Sequence, residues 1–415
     1  MAGWMVTVTG MLLNAVLYWI LKIETYGFLF QGPSDTLPAM IDRQQLTEAV
    51  ATALRRARVV VLVGPRQVGK TTLARTFLPP DSANYLDLEQ PETEALLANP
   101  MTALRDRRGL VVLDEVHRAP EVFKVLRVLA DRPDAPARFL LLGSAAPGLL
   151  RQASETLAGR IEMIEVDGFS LSEVGRTAAD RLWYRGGYPL SYTARSDVDS
   201  RAWRREFIRT FLERDLPQLG LNTAAPAMRR FWTMLAHYHG QTWNAADPAR
   251  TLGVSEPTVR RLLDWLTGTF MVRQLQPWFE NLGKRQVKAP KVYIRDSGLL
   301  HELLGIADHD ALLEHPKGGA SWEEFAIEST LRLARPDEAY CWSTHAGAER
   351  DLLLIKDGRR VGVEFKRADA PQLTPSMGIA LSDLRLERLY VVYPGTRRYS
   401  LRHNVEVVPL GTIAG

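Results

Sequence analysis

The chain has 415 residues, 46% hydrophobic and 24% charged, with a formal net charge of +4. This is an ordinary globular balance, long enough for two or three domains with cores of their own, and its mild basicity is compatible with nucleic acid without requiring it. A single cysteine, Cys341, excludes an internal disulfide framework and a cysteine zinc cluster and suits a reducing cytoplasm; the eight histidines show no metal-ligand spacing.

The first forty residues stand apart. WMVTVTGMLLNAVLYWIL, Trp4 to Leu21, is uncharged and reaches the lower limit of a membrane span before Lys22 and Glu24 interrupt it. No basic run precedes it and no small-residue cleavage site follows, which argues against a secretory signal. Residues 1–39 are expected to be an apolar extension outside the fold, with a membrane anchor or an ordered packing helix as alternatives. An amphipathic helix then begins near Met40, in MIDRQQLTEAVATALRRA.

From there strand and helix patterns alternate. RVVVLVG (58–64) is short, apolar and β-branched, as a central parallel strand buried on both faces requires. NYLDL (84–88), LVVLDE (110–115), RFLLLGS (138–144) and IEMIEV (161–166) are further strand candidates, most of them separated by helical stretches such as KTTLARTFL and APEVFKVLRVLADR. The alternation implies right-handed crossovers and a parallel three-layer α/β sheet.

Behind the first strand stands GPRQVGKT, Gly64 to Thr71. In the order strand–loop–helix this pattern turns successive amide N–H groups toward a phosphate, with the helix dipole behind them. Lys70 is placed to reach the β- and γ-phosphates and Thr71 to ligate Mg²⁺. LVVLDE ends in Asp114, placed to hold the magnesium through water, and Glu115, which either activates an attacking water or only caps a helix. Ser144, closing the next strand, is a γ-phosphate sensor or a turn serine. Arg160 is either a finger that neutralises the transition state, acting between subunits of a homo-oligomer, or a structural ion pair. Arg66 adds a cation inside the cradle, or points to solvent.

GPRQVGKTTLAR, YLDLEQPE, VVLDEVHRAPEVFKVLR, LLGSAA and LAGRIEMIEV together resemble the prokaryotic AAA-type P-loop ATPases, and the resemblance extends over essentially everything after Met40. It implies ATP and Mg²⁺ as cofactors and nucleotide contacts from Gly64, Pro65, Arg66, Gln67, Val68, Gly69, Lys70, Thr71 and Thr72. It further implies magnesium at Thr71 and Asp114 and water activation by Glu115. The ATPase domain is expected over 40–175 and a helical connector over 176–225, with GGYP (186–189) as a hinge.

Residues 226–300 read as a winged helix-turn-helix. Ser255 caps a helix whose apolar stripe is Val259, Leu262, Leu263 and Leu266, leaving Thr258, Arg260, Arg261 and Asp264 free to face a DNA groove. FMVRQLQPW and KVYIRDSG are the expected wing strands. Lys284, Arg285, Lys288, Lys291 and Arg295 form an acid-free stripe that either meets the phosphates of double-stranded DNA or is a solvated face.

Residues 301–415 are expected to form a small α/β domain. In SWEEFAIESTLRLA, Glu323 lies on the apolar stripe while Glu324, Glu328, Arg332 and Arg335 fall on a face where acid–base pairs sit in water. Two strands follow around a turn at Asp357–Gly358, the second carrying Glu364 and Lys366 on one side. Glu323, Asp351, Glu364 and Lys366 have the order and spacing of the PD-(D/E)xK nuclease-like fold. In active members of that fold such carboxylates hold Mg²⁺ and the lysine positions water. The alternative is a scaffold in which Glu364 and Lys366 form only an ion pair.

Overall fold

A computed structural model describes residues 41–133, 136–143, 155–280 and 286–412. Contacts divide the chain into two units, Met1–Asp42 and Arg43–Gly415. The apolar stretch Trp4–Leu21 and Ser144 lie outside the described residues.

Helix α1 (Gln44–Arg56) leads into β1 (Val59–Val63), and the loop after β1 leads into α2 (Lys70–Arg75). Strands β2 (Tyr85–Asp87), β3 (Gly109–Asp114), β4 (Ala137–Leu142) and β5 (Ile161–Glu165) complete a five-stranded sheet in the order β2-β3-β4-β1-β5, all pairs parallel. Helix α3 (Val122–Ala130) lies between β3 and β4. All five residues of β1 are buried. Val60 and Leu62 enter the core on one face while Val59, Val61 and Val63 enter the core on the other. That two-sided burial is why the strand is apolar without alternation, each such side chain contributing roughly 1.5–3 kcal/mol.

The first of those cores continues into the next segment through Phe207, Phe211, Leu216, Phe231 and Trp232. The connector is a long helix, α4 (Asp197–Thr210), whose Ser196 cap accepts from the Asp199 amide at 3.1 Å. Its winding widens to a π-turn over Phe211–Asp215, a last turn over Leu216–Gln218 ends the helix, and Gly220 beyond it has φ +102°. Pro217 lies within that last turn, one residue before the helix ends. The ring has no N–H to complete an α bond, and the widened turn just before it absorbs the defect. Gly186–Gly187, expected to be a hinge, is a tight clamp instead. The Gly187 amide donates to Asp296 Oδ2 at 2.8 Å, and a Cβ on Gly186 would stand 2.3 Å from Asp296 Oδ1.

Helix α5 (Ala225–His237), β6 (Gln241–Thr242), α6 (Ala246–Leu252), α7 (Glu256–Gly268), β7 (Val272–Leu275) and β8 (Lys291–Ile294) follow, with an antiparallel three-stranded sheet in the order β6-β8-β7. Gly253 takes the left-handed turn (φ +68°) between α6 and α7, and Val259, Leu262, Leu263 and Leu266 are buried. Helix α8 (Ser297–Leu303) leads to α9 (Gly318–Ala334). A six-stranded mixed sheet follows: β9 (Glu338–Ser343), β10 (Glu349–Lys356), β11 (Arg359–Phe365), β12 (Arg388–Tyr393), β13 (Tyr399–Arg402) and β14 (Val405–Pro409), in the order β13-β14-β12-β11-β10-β9. Helix α10 (Pro375–Asp383) connects β11 to β12. Among the described residues no helix is long and apolar enough to cross a membrane.

Candidate functional site: the strand-end cradle and two charged centres

The loop after β1 closes tightly because two glycines permit it. Gly64 has φ +145° and Gly69, capping α2, has φ +91°. A Cβ on Gly64 would stand 2.1 Å from Val166 O, so only glycine fits. Lys70 bends back over the loop, its Nζ donating to Gly64 O at 2.9 Å and Pro65 O at 2.5 Å. Burial pushes its ammonium down to about 8, against the pull of Glu115 and Asp114. A cation whose hydrogen bonds go to neutral carbonyls can exchange them for phosphate oxygens.

The acids stand at the carboxyl end of β3. Thr71 Oγ1 donates to Asp114 Oδ2 at 2.9 Å, and the Tyr85 hydroxyl donates to the same oxygen at 2.6 Å. Burial pushes the Asp114 carboxyl up despite those bonds, a penalty that a divalent cation would offset. The donor set of a threonine hydroxyl and a carboxylate at the mouth of an amide-lined loop therefore fits magnesium beside a nucleotide. Glu115 has φ +54°, and its carboxylate lies 3.0 Å from His117 Nδ1. Burial opposes its charge, but His117, Arg66 and Lys70 together hold the carboxyl below its ordinary range.

Tyr85 escaped the sequence reading. The available signal was its place in NYLDL, on the strand that pairs with the one ending in Asp114. Arg43 escaped it too. It braces the cradle from behind, donating to Val68 O at 2.9 Å, Asp167 O at 2.8 Å and Glu173 Oε1 at 2.5 Å. Arg66 points neither to solvent nor to a free cradle: it pairs with Asp215, itself 2% exposed, in the π-turn of the connector.

Arg160 is not near the cradle of its own chain. It precedes β5 at the end of the sheet where β1 begins, its carbonyl accepting from the Val59 amide at 3.2 Å. A five-residue strand at about 3.3 Å per residue places it roughly 16 Å from the loop. Its guanidinium is bound by Asp131, Nη2 to Oδ2 at 2.9 Å, the ion-pair alternative for this residue.

Of the expected solvent face of α9, Glu324 and Glu328 are buried, Arg332 is half-buried and Arg335 is exposed. Glu324 and Glu328 are 1% and 4% exposed. Glu328 pairs with Arg273 and lies 3.4 Å from Arg295, which also binds Glu165 at 2.5 Å and Asp167 at 3.0 Å. Arg332 joins Asp167 at 3.4 Å. The i, i+4 spacing is that of surface pairs, but here the partners are Arg273 of β7, Arg295 just after β8 and Asp167 just after β5, and the network ties these segments to α9.

The expected cationic stripe is correspondingly depleted. Arg295 is part of this network and Lys291 is internal as well, with Nζ 3.7 Å from Glu323 Oε1 and 3.6 Å from Asp351 Oδ1. Lys284 and Arg285 lie outside the described residues. Asp351, at the start of β10, accepts from the Phe365 amide at 3.0 Å. Glu364 pairs with the fully buried Arg350 and with Lys366 at 2.8 Å. Burial first, then Asp351, pushes the carboxyls of Glu323 (to about 7) and Glu364 up. So the structure gathers Glu323, Asp351, Glu364 and Lys366 into one centre. Among the described residues, however, no group of three or more histidine, cysteine, aspartate or glutamate side chains is arranged to hold a metal ion. His239 is structural: its Nδ1 accepts from the Ile294 amide at 3.0 Å, and burial pushes it down to about 3.

Comparison with known proteins identifies the domain that carries the first loop. Residues 56–175 match the model of an AAA domain. Residues 176–310 and 318–413 match two domains of unknown function, DUF8612 and DUF4143. The chain is 52% identical over 374 residues to the uncharacterized protein Rv2008c of Mycobacterium tuberculosis, covering 90% of this chain and 85% of that one. The figures are the same for the uncharacterized protein Mb2031c of Mycobacterium bovis. Among solved structures, the Walker-type ATPase PABY2304 of Pyrococcus abyssi is 15% identical, covering 66% of this chain and 98% of that one with a TM-score of 0.47.

Proposed function

We propose that this chain, which belongs to the same family as the mycobacterial proteins Rv2008c and Mb2031c and carries an AAA-type ATPase domain, is a Mg²⁺-dependent ATP hydrolase. Its nucleotide state sets the posture of a winged-helix module and a nuclease-like C-terminal domain. The observation that carries the reading is the Lys70 ammonium folded onto Gly64 O and Pro65 O beside the Thr71–Asp114 pair.

Backbone amides from Gly64 to Thr72 surround the phosphates, and Lys70 turns from the two carbonyls to the β- and γ-oxygens. Thr71 and Asp114 would hold the magnesium, which supplies charge neutralisation at those oxygens. Tyr85 fixes the Asp114 carboxylate through its Oδ2. Glu115, kept ionised, accepts a proton from the attacking water once His117 releases it. Coupling to the rest of the chain starts at Arg66: a phosphate competes with Asp215 for its guanidinium, and Asp215 belongs to the π-turn of the connector. Calorimetry with Mg·ATP tests the premise. Wild type should give a binding isotherm and Lys70→Ala an affinity lower by about 2–5 kcal/mol; identical titrations sink the reading.

A second reading adds double-stranded DNA as the partner, favoured by Arg260 and Arg261, both exposed on α7. Replacing both with alanine should weaken binding to a labelled duplex and flatten its salt dependence by about one unit of slope per lost phosphate contact. An unchanged slope removes DNA from the proposal.

A further inference from the structure

The C-terminal centre is where pattern and geometry part. Its acids stand in the order of a metal-dependent nuclease, yet their charge is already balanced from within the chain. Lys291 lies between Glu323 and Asp351, and Arg350 and Lys366 both engage Glu364. Three acids meet three cations, with Glu349 at the exposed rim. A divalent cation among these carboxylates would stand a few ångströms from an ammonium that it repels.

Lys291 is not a stray surface side chain. It is 12% exposed and is the first residue of β8, which is paired on both sides by β6 and β7. Two residues on, the Tyr293 hydroxyl donates to Glu323 Oε1 at 2.7 Å, so the same strand holds the same acid twice. The Trp278 amide donates to Cys341 O at 2.7 Å alongside, seaming the segment after β7 to β9. The lysine thus comes from one module and its acids from the next.

We propose that the acidic centre of the C-terminal domain is a socket for Lys291 rather than for a divalent cation. The preceding module plugs it, locks the two modules together, and occupies the place a metal needs for phosphodiester cleavage. This does not rest on ATP turnover.

The test is titration of the nucleotide-free full-length protein with Mn²⁺, following free Mn²⁺ by electron paramagnetic resonance. Wild type should show no Mn²⁺ binding that Asp351→Asn removes. Lys291→Met, which leaves two neighbouring carboxylates unbalanced, should gain about one Mn²⁺ per chain with at least a tenfold rise in affinity. Adding Asp351→Asn to that variant should abolish the gain. Wild-type Mn²⁺ binding that Asp351→Asn abolishes overturns the proposal, and this arm decides even if Lys291→Met does not fold. A folded Lys291→Met that binds no more Mn²⁺ than wild type overturns it equally.

Discussion

Two half-buried lysines organise this molecule, and they face opposite company. Lys70 is held by the neutral carbonyls of Gly64 and Pro65, and burial pushes its ammonium down to about 8. Lys291 is half-buried as well, but Asp351 and Glu323 outweigh that burial and push its ammonium up. A cation resting on carbonyls is available to an incoming anion, because it trades weak partners for strong ones. A cation between carboxylates already has its anions, and removing it leaves them unbalanced. The same residue type therefore makes an open site in one domain and a closed one in another.

The largest way to break the first half of this comparison is Glu115→Gln. It should lower ATP turnover by about 10²–10⁴-fold while ATP still binds, read by phosphate release and calorimetry on one sample. Normal turnover would remove Glu115 as the base. Next, Asp215→Ala strands a partly covered Arg66 and should cost about 1–3 kcal/mol in urea unfolding, with altered ATP affinity. If stability falls and affinity does not move, the pair is structural and the coupling route fails.

The pH response sharpens the contrast. Above about 8 the resting Lys70 is neutral and must take up a proton to meet phosphate, so ATP affinity should fall by up to about tenfold per pH unit there. Unfolded lysine keeps its proton to about 10.4, so between these values the unfolded state binds more protons, and this group's contribution to stability rises with pH. Binding weakening while nucleotide-free stability gains is a signature Lys291, already paired, does not share. Calorimetry in buffers of different ionisation enthalpy reads the proton uptake; none at pH 8.5 would contradict it. The smallest effect belongs to Arg160→Ala, which should leave the turnover of the isolated chain essentially unchanged, because its partner Asp131 is on the surface. A collapse of turnover in a concentration-dependent assay would restore a finger acting between subunits.

Much of the ATPase domain is legible in the sequence because its information is contiguous. Gly64 to Thr71 encodes a backbone shape, and an apolar five-residue strand has few places to go in a parallel sheet. Helical periodicity likewise says which residues of α9 share a face. It cannot say what covers that face, and Glu328 and Arg332 read as solvated until Arg273, Arg295 and Asp167 are brought against them. Arg66 and Asp215 are 149 positions apart, and no local pattern announces their pair. Lys291 was hidden for a related reason: in an acid-free run of five cations, composition does not distinguish Lys291 and Arg295, the two that turn inward.

The crowding at Gly64 has a consequence for motion. Its missing side chain lets the cradle lie against Val166 O, and the Val166 amide in turn bonds Val63 O at 2.8 Å. The following residue is Asp167, which grips Arg295 and Arg332. The residue packed against Gly64 and the residue that anchors Arg332 of α9 are thus consecutive in the chain, so a displacement of the loop after β1 would be felt directly at that anchor.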